Sequence, residues 1–521
     1  MPIDPRHPNA NGVAARTAKA SLWVVGGKLF ARGIDFITLL VLARLLTPTD
    51  FGLVAMAMAV LYVIEAILEL PLAQALISVP TPTQPMYETA FTLGLLRGIA
   101  IAVVMAALAW PISIFYGEPR VVPLICVLSL APASRGLVSP RMVVFMREFD
   151  FRRDASLDIA GKSAALIVAT SIAWFTRSYW AIAAGTIATP LVMVVTSYIL
   201  APLRPRFTLS EWHRFADMVS WNSVAQLVSA FNWQSDKLLL GRFIDTRLFG
   251  KFAMSETVAA LPFQALIQPL ARPLLVSFTT ARTPEALGQA YLSVTGTIVL
   301  LVAPVYACFA IMAGPMIWTV FGKDWVNVAP ILSALSVVTM MSLPANVLPG
   351  LLMSQDKTRL LAYRYLAELS VRLPASVVGV IAFGIPGVIA ARGIGTVCAL
   401  FYVAVTLREL TALRPGRMAA RMVRHFAPTA LAAFPTIVLM ARLGPAPDLH
   451  GALLRLFVGG CAFGIAYPAA IFLVWRICGR PDGPEARIGA ILLSRIRKIG
   501  GSSPAGARRQ LYAAEAPERD S

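Results

Sequence analysis

Lys28, Arg32 and Asp35 stand four and three residues apart, so a helix carries all three on one face. Arg364, Glu368 and Arg372 repeat the arrangement at steps of four, and Arg97, Arg272 and the adjacent Asp236 and Lys237 add further charges. All of them fall in long apolar stretches, where an ionised side chain is tolerated only against protein or water, so each marks a candidate functional position. Cations outnumber acids in this set. A cavity lined by them would draw an anion such as a phosphate or pyrophosphate, with arginine offering a planar fork and lysine a compact charge. The plainer reading is that Lys28 and Arg272 reach a membrane interface along their stems and that Arg364 belongs to a helix end.

Asp35 and Asp236 admit two roles. Each either neutralises a neighbouring cation to lower the cost of burial, or titrates as the group that couples transport to a proton or sodium gradient. Pairing is the simpler reading for Asp35, three residues from Arg32. Asp236 only adjoins Lys237, and adjacent residues on a helix point apart, so Asp236 needs a partner from another helix and is the better coupling candidate. Glu368 falls in the same class of pairing or coupling acids. Trp221, Asn222, Asn232, Trp233 and Gln234 make the segment around Asp236 polar and aromatic, which suits either a sugar or hydrogen bonds between helices.

Catalysis has little support in these residues. Cys126, Cys308, Cys398, Cys461 and Cys478 show no metal-ligand spacing, and His7, His213, His425 and His450 fall outside the expected span interiors. No phosphate-loop pattern is present. The expectation is a non-enzyme with no metal and no cofactor, its driving force being an ion gradient if there is one.

The elements that position these charges are set by composition. The chain has 521 residues, 57% hydrophobic and 14% charged, with a mean hydropathy of +0.71. Soluble domains carry about a quarter charged residues, so a soluble protein is excluded. The apolar runs last about 20 residues without alternation, which implies membrane-spanning helices and not a barrel. About fourteen such spans are expected at that length. The weakest are 52–74, which carries Glu65 and Glu69, and 217–240, which carries Asp236 and Lys237. The N-terminus is polar and Pro-rich, and no cleavable signal is expected ahead of the first span.

A formal charge of +19 raises the question of nucleic acid, but its distribution answers it. With the N-terminus inside, Arg147, Arg152 and Arg153, then Arg204, Arg206 and Arg214, then Lys357 and Arg359, then Arg414, Arg417, Arg421 and Arg424 all fall in cytoplasmic connections. The other side keeps only scattered cations such as Arg120, Arg177 and Arg442, which fits the positive-inside bias and places both termini in the cytoplasm. Anionic membrane lipids account for the charge, and no nucleic-acid partner is expected.

The chain also repeats itself. Leu42-Ala43-Arg44 through Phe51-Gly52 returns as Leu240-Gly241-Arg242 through Phe249-Gly250, and Pro123 with Leu128-Ser129 returns as Pro330 with Leu335-Ser336. An even number of spans per copy relates the two by an axis along the membrane normal. The expected fold is an all-α polytopic membrane protein: two pseudo-symmetric six-helix lobes around a central cavity, plus two C-terminal helices. The lobes are 1–200 and 217–408, joined by a polar linker at 201–216. Two further helices lie in 409–479, and 480–521 is a basic cytoplasmic tail, with a surface helix over 484–499 and disorder beyond it.

Gly27-Lys28-Leu29-Phe30-Ala31-Arg32-Gly33-Ile34-Asp35-Phe36, the 42–52 motif, Phe115-Tyr116 and Phe145-Met146-Arg147-Glu148-Phe149 resemble the polysaccharide transporter branch of the multidrug/oligosaccharidyl-lipid/polysaccharide flippase superfamily. The resemblance is to bacterial O-antigen and exopolysaccharide lipid-carrier flippases and covers roughly 20–480. It implies that an undecaprenyl-diphosphate-linked oligosaccharide is turned across the bacterial inner membrane by alternating access. It further implies that Arg32, Arg97, Lys237 and Arg372 meet the pyrophosphate and glycan, and that a polysaccharide polymerase and glycosyltransferases act alongside. A peptidoglycan lipid-precursor flippase and a cation-coupled multidrug exporter of the same superfamily are the alternatives.

Overall fold

The computed structural model describes residues 10–148, 150–216, 221–267, 278–281, 283–411, 413–444 and 448–480. Arg272, the side chain of Asn222 and the tail from 481 lie outside the described residues, and with them the readings made for those positions.

The protein is all-α within those limits. Helix α1 (Ala10–Leu45) leads through Thr47 into α2 (Pro48–Ile67) and the short α3 (Leu72–Ser78). Then follow α4 (Gln84–Tyr116), the pieces α5 (Val121–Leu128), α6 (Leu130–Arg135) and α7 (Val143–Arg147), and the long pair α8 (Phe151–Thr176) and α9 (Trp180–Leu200). An extended linker with the short α10 (Trp212–Ala216) precedes α11 (Trp221–Phe243) and α12 (Thr246–Pro262). The second half continues through α13 (Pro284–Ile311), α14 (Ala313–Phe321), α15 (Ala329–Ser342), α16 (Leu348–Ser354), α17 (Thr358–Phe383) and α18 (Ile385–Thr411). The chain closes on α19 (Pro415–Leu443) and α20 (Leu449–Ile477).

The repeated motif is a helix-start device. In its first copy, Thr47 accepts from the Asp50 amide, the Asp50 carboxylate accepts from the Thr47 amide at 2.9 Å, and Pro48 fills the first helical position. In its second copy, the Asp245 carboxylate accepts from the amides of Arg247 at 2.9 Å and Leu248 at 3.4 Å. Both α2 and α12 therefore begin at the same kind of cap and at the same end of the molecule.

Packing follows the same order in the two halves. Helix α1 lies on α8 and α8 on α9, as α11 lies on α17 and α17 on α18; α2 meets α5 as α12 meets α15. The halves join where α2 packs on α11 and α12. The closest approach there is backbone to backbone. A Cβ on Gly52 would overlap the Thr246 carbonyl oxygen, and one on Gly250 would overlap the Pro48 carbonyl oxygen. Pro48 and Thr246 hold equivalent places in the two copies of the motif, so the contact is reciprocal.

That end of the seam is closed by further links between the halves. Trp325, fully buried, donates from Nε1 to the Ala43 carbonyl at 2.9 Å and sets its ring edge-on to Phe51. Arg44 caps the end of α14, donating to the carbonyls of Thr319 at 2.9 Å and Val320 at 3.1 Å. The Tyr116 ring fills the space that a Cβ at Gly241 would take.

Among the described residues, ten helices are long and apolar enough to cross a membrane, and a pair bent by 54° at 121–147 makes an eleventh if it forms one span. This is fewer than the expected fourteen. Helices stand also at α1, α11 and α12, but their charged and polar residues, including Arg32 and Asp35, Asp236 and Lys237, and Lys251 and Glu256, set them apart from these ten. Much of this charge turns toward neighbouring helices. His425 departs from expectation: it is buried within α19, against Gly296 of α13, and not outside a span interior.

Candidate functional site

Helix α1 presents Arg32 and Asp35 on one face, as their spacing requires. Arg32 Nη1 is 3.4 Å from Asp35 Oδ2, and Lys162 of α8 ion-pairs with the same carboxylate oxygen. Both Arg32 and Asp35 keep more than a third of their side-chain surface exposed. Lys28, one turn earlier, is also exposed.

Arg97 of α4 lies against the C-terminal end of α2. It donates from Nε to the Leu68 carbonyl at 2.8 Å and ion-pairs with Glu69. Beside it, Arg135 of α6 holds Glu65 at 2.5 Å. Glu65 and Glu69 line a cavity of about 450 Å³ between α2 and α11, together with Tyr62, Gln226, Ser229 and Trp233. The residues come from the C-terminal end of α2 and the first turns of α11. The cavity therefore lies at the opposite end of α2 from the Gly52–Gly250 contact with α12.

The second half carries a buried chain of charges. Asp236 of α11 is completely buried and accepts from Arg372 of α17 at 2.5 Å, Arg392 of α18 at 2.9 Å and the Ser376 hydroxyl at 3.4 Å. Arg392 continues to Glu256 of α12, which also lies 2.8 Å from Lys237 Nζ. At the other end, Glu368 stands 3.9 Å from Arg372 and 3.4 Å from Arg364. Two carboxylates and two guanidiniums thus tie α11, α12, α17 and α18 together. In a low-dielectric interior such charges are held only because each has a partner, and losing one would leave its neighbour buried and uncompensated.

The structure brings some of the expected residues together and keeps others apart. Asp35 pairs with Arg32 as expected, and Lys162 is an addition. Asp236 obtains partners on other helices and is enclosed by them, while Asp35 stays partly exposed. Arg364, Glu368 and Arg372 share one face of α17, with both arginines buried inside the second half and not at a helix end. Asn232 serves helix contact, donating to the Tyr365 carbonyl at 2.9 Å, while Trp233 lines the cavity. Arg32 and Arg372 belong to separate charge clusters.

Lys162, Arg135, Glu256 and Arg392 take part without having been singled out. The same rule that found Arg97, an ionisable residue inside an apolar run, applies to Arg392 in Ala390-Ala391-Arg392-Gly393 and would have found it. Among the described residues, no group of three or more His, Cys, Asp or Glu side chains could hold a metal ion.

Residues 41–330, more than half of the chain, match a family model described as polysaccharide biosynthesis protein. The chain is 24% identical over 331 residues to succinoglycan biosynthesis transport protein ExoT of Rhizobium meliloti (strain 1021), covering 62% of this chain and 66% of that one. It is 20% identical over 373 residues to lipopolysaccharide biosynthesis protein WzxC of Escherichia coli (strain K12), covering 70% and 75%. Among solved structures, the lipid II flippase MurJ in an inward closed conformation superposes with a TM-score of 0.68 at 13% identity, over 88% of this chain and 99% of that one. An inward-facing multidrug transporter of the MATE family gives a TM-score of 0.50 at 17% identity, over 77% and 95%. At these identities the structural matches establish the fold alone.

Proposed function

Because the chain belongs to the polysaccharide biosynthesis protein family, we propose that it is a flippase of the bacterial inner membrane. Its substrate in this reading is a polyprenyl-diphosphate-linked glycan destined for exopolysaccharide or O-antigen, as the names of ExoT and WzxC suggest. Fourteen spans, counting α1, α11, α12 and the bent segment at 121–147 among them, form two six-helix lobes and a C-terminal pair. With the N-terminus in the cytoplasm, the sealed Gly52–Gly250 end is periplasmic and the cavity between α2 and α11 opens inward.

The observation that carries this reading is that cavity and what stands behind it. Glu65 and Glu69 line it, and each holds an arginine, Arg135 and Arg97, that is a stronger partner for a doubly charged pyrophosphate than for one carboxylate. The two glutamates hold the arginines in place until substrate displaces them. Arg32, Lys28 and Lys237 add positive charge toward the same seam, while Tyr62, Trp233, Gln226 and Ser229 offer ring faces and polar groups to sugar. Arg364 and Arg372 act from behind α11, through the buried charge chain. Arg272 belongs to the same cationic set by sequence. The glycan crosses as the sealed end opens and the inner mouth closes, with a proton or sodium ion at Asp35 as the coupling species. The reaction leaves the substrate covalently unchanged, and the glycosyltransferases and polymerase that make and use it are the expected partners.

Translocation of a defined lipid-linked glycan in proteoliposomes tests the reading. Native protein should move it, and R97A and R32A at matched protein levels should lose most of that rate, with Lys replacements intermediate because they keep charge and lose the fork. Equal rates for native protein and for empty liposomes would reject a flippase. Transport of a peptidoglycan precursor or a cationic drug in place of the expected glycan would transfer the protein to one of those substrate classes.

A further inference from the structure

The ion-pair chain from Lys237 to Arg364 does not balance. It contains four cations, Lys237, Arg392, Arg372 and Arg364, against three carboxylates, Glu256, Asp236 and Glu368. One positive charge is left over in a region where Arg364 and Arg372 are only 4% and 6% exposed. An uncompensated charge at such depth is costly unless something neutralises it.

Two of these cations, Arg364 and Arg372, wall a pocket of about 90 Å³ together with Asn232, Tyr365, Glu368 and Thr396. The Nε–H groups of both Arg364 and Arg372 are buried there without a hydrogen-bond partner. The hydroxyl protons nearby are already spent: Thr396 donates to the Arg392 carbonyl, and Thr339 to the Leu335 carbonyl. The buried donors of the lining left without a partner are the Nε–H groups of these two guanidiniums. Asn232 Oδ1, also buried without a partner, is an acceptor and calls for a water alongside.

Volume decides what can fill it. About 10–15 Å³ of such cavity space holds one water, so the pocket takes a small cluster of water-sized bodies. Sites for drug-sized ligands start at about 300 Å³, which excludes the glycan and its lipid. We propose that this pocket is a binding site for one small inorganic monoanion, of chloride size, shared with water and separate from the transported substrate. The anion accepts from Arg364 Nε and Arg372 Nε and brings the buried chain to neutrality, so it stabilises the packing of α11 against α17.

The test is thermal melting of the purified full-length protein, without any lipid-linked glycan, in sodium chloride, sodium bromide and sodium gluconate at matched ionic strength. Gluconate is too large to enter. Chloride and bromide should raise the melting temperature in a saturable way and gluconate should not, and a bromide anomalous peak should lie between Arg364 and Arg372. R364Q removes the surplus charge and one donor, and N346D places a fixed carboxylate on the pocket wall; each should abolish the halide dependence. Should R364Q fail to fold, N346D and the anomalous peak decide. Equal melting in chloride and gluconate would overturn the proposal, as would a halide dependence unchanged in N346D.

Discussion

Gly52 and Gly250 face each other across the seam between the halves, and each leaves room only for the other helix's backbone. They occupy the same place in the two copies of the repeated motif, so a local duplication has become a self-complementary contact at one end of the molecule. The links of Arg44 to the Thr319 and Val320 carbonyls and of Trp325 to the Ala43 carbonyl surround that contact. An opening of this end must break all of them together.

Replacement of Gly52 by Ala tests that point. The added methyl meets a backbone carbonyl that cannot rotate away, so the helices must separate, at a cost of about 1–3 kcal/mol typical of overpacking. G52A and G250A should each lower the melting temperature in detergent. Spin labels across the Gly52–Gly250 end should report a longer distance than in native protein, and an unchanged distance with unchanged melting would show that the contact is loose.

Asp236 predicts a different defect. D236N leaves Arg372 and Arg392 facing a neutral amide in a buried site, a loss of about 3–5 kcal/mol for a broken buried pair. Folded protein should fall sharply, and R372Q in the same chain should restore part of it by removing one orphaned cation. Well-folded D236N whose transport no longer responds to an ion gradient would instead make Asp236 the coupling group.

Asp35 should behave in the opposite way. Its carboxylate is 37% exposed, so water can take over from a lost partner and D35N should keep near-native folded yield. Transport by D35N in liposomes with proton and sodium gradients imposed separately should lose its gradient dependence. Retention of the native dependence on both ions would remove Asp35 from the coupling role.

Topology can be read by labelling from each side in a cysteine-free background. Gly416 begins α19 beside a run of arginines and should be labelled from the cytoplasm, whereas His450, at the start of α20, should be labelled from the periplasm. Labelling of G416C from outside only would invert the arrangement.

The sequence by itself determined the class, the repeated motif and the candidate charges. Hydropathy reports the solvent around a segment, and helical spacing reports which residues share a face; both are local quantities. Arg32 with Asp35, and Arg364 with Glu368 and Arg372, were legible for that reason. The span count was less so, because the charges of α1, α11 and α12, half-exposed at Arg32 and Asp35 and buried against protein at Asp236 and Glu256, take their composition away from that of a lipid-facing helix. What only the tertiary structure decided is which charge meets which. Asp236 could have been an open acid awaiting an ion. It is enclosed because α17 and α18 bring Arg372 and Arg392 onto it from more than a hundred residues away, and burial and pairing between helices are set by packing, which no spacing along one helix records.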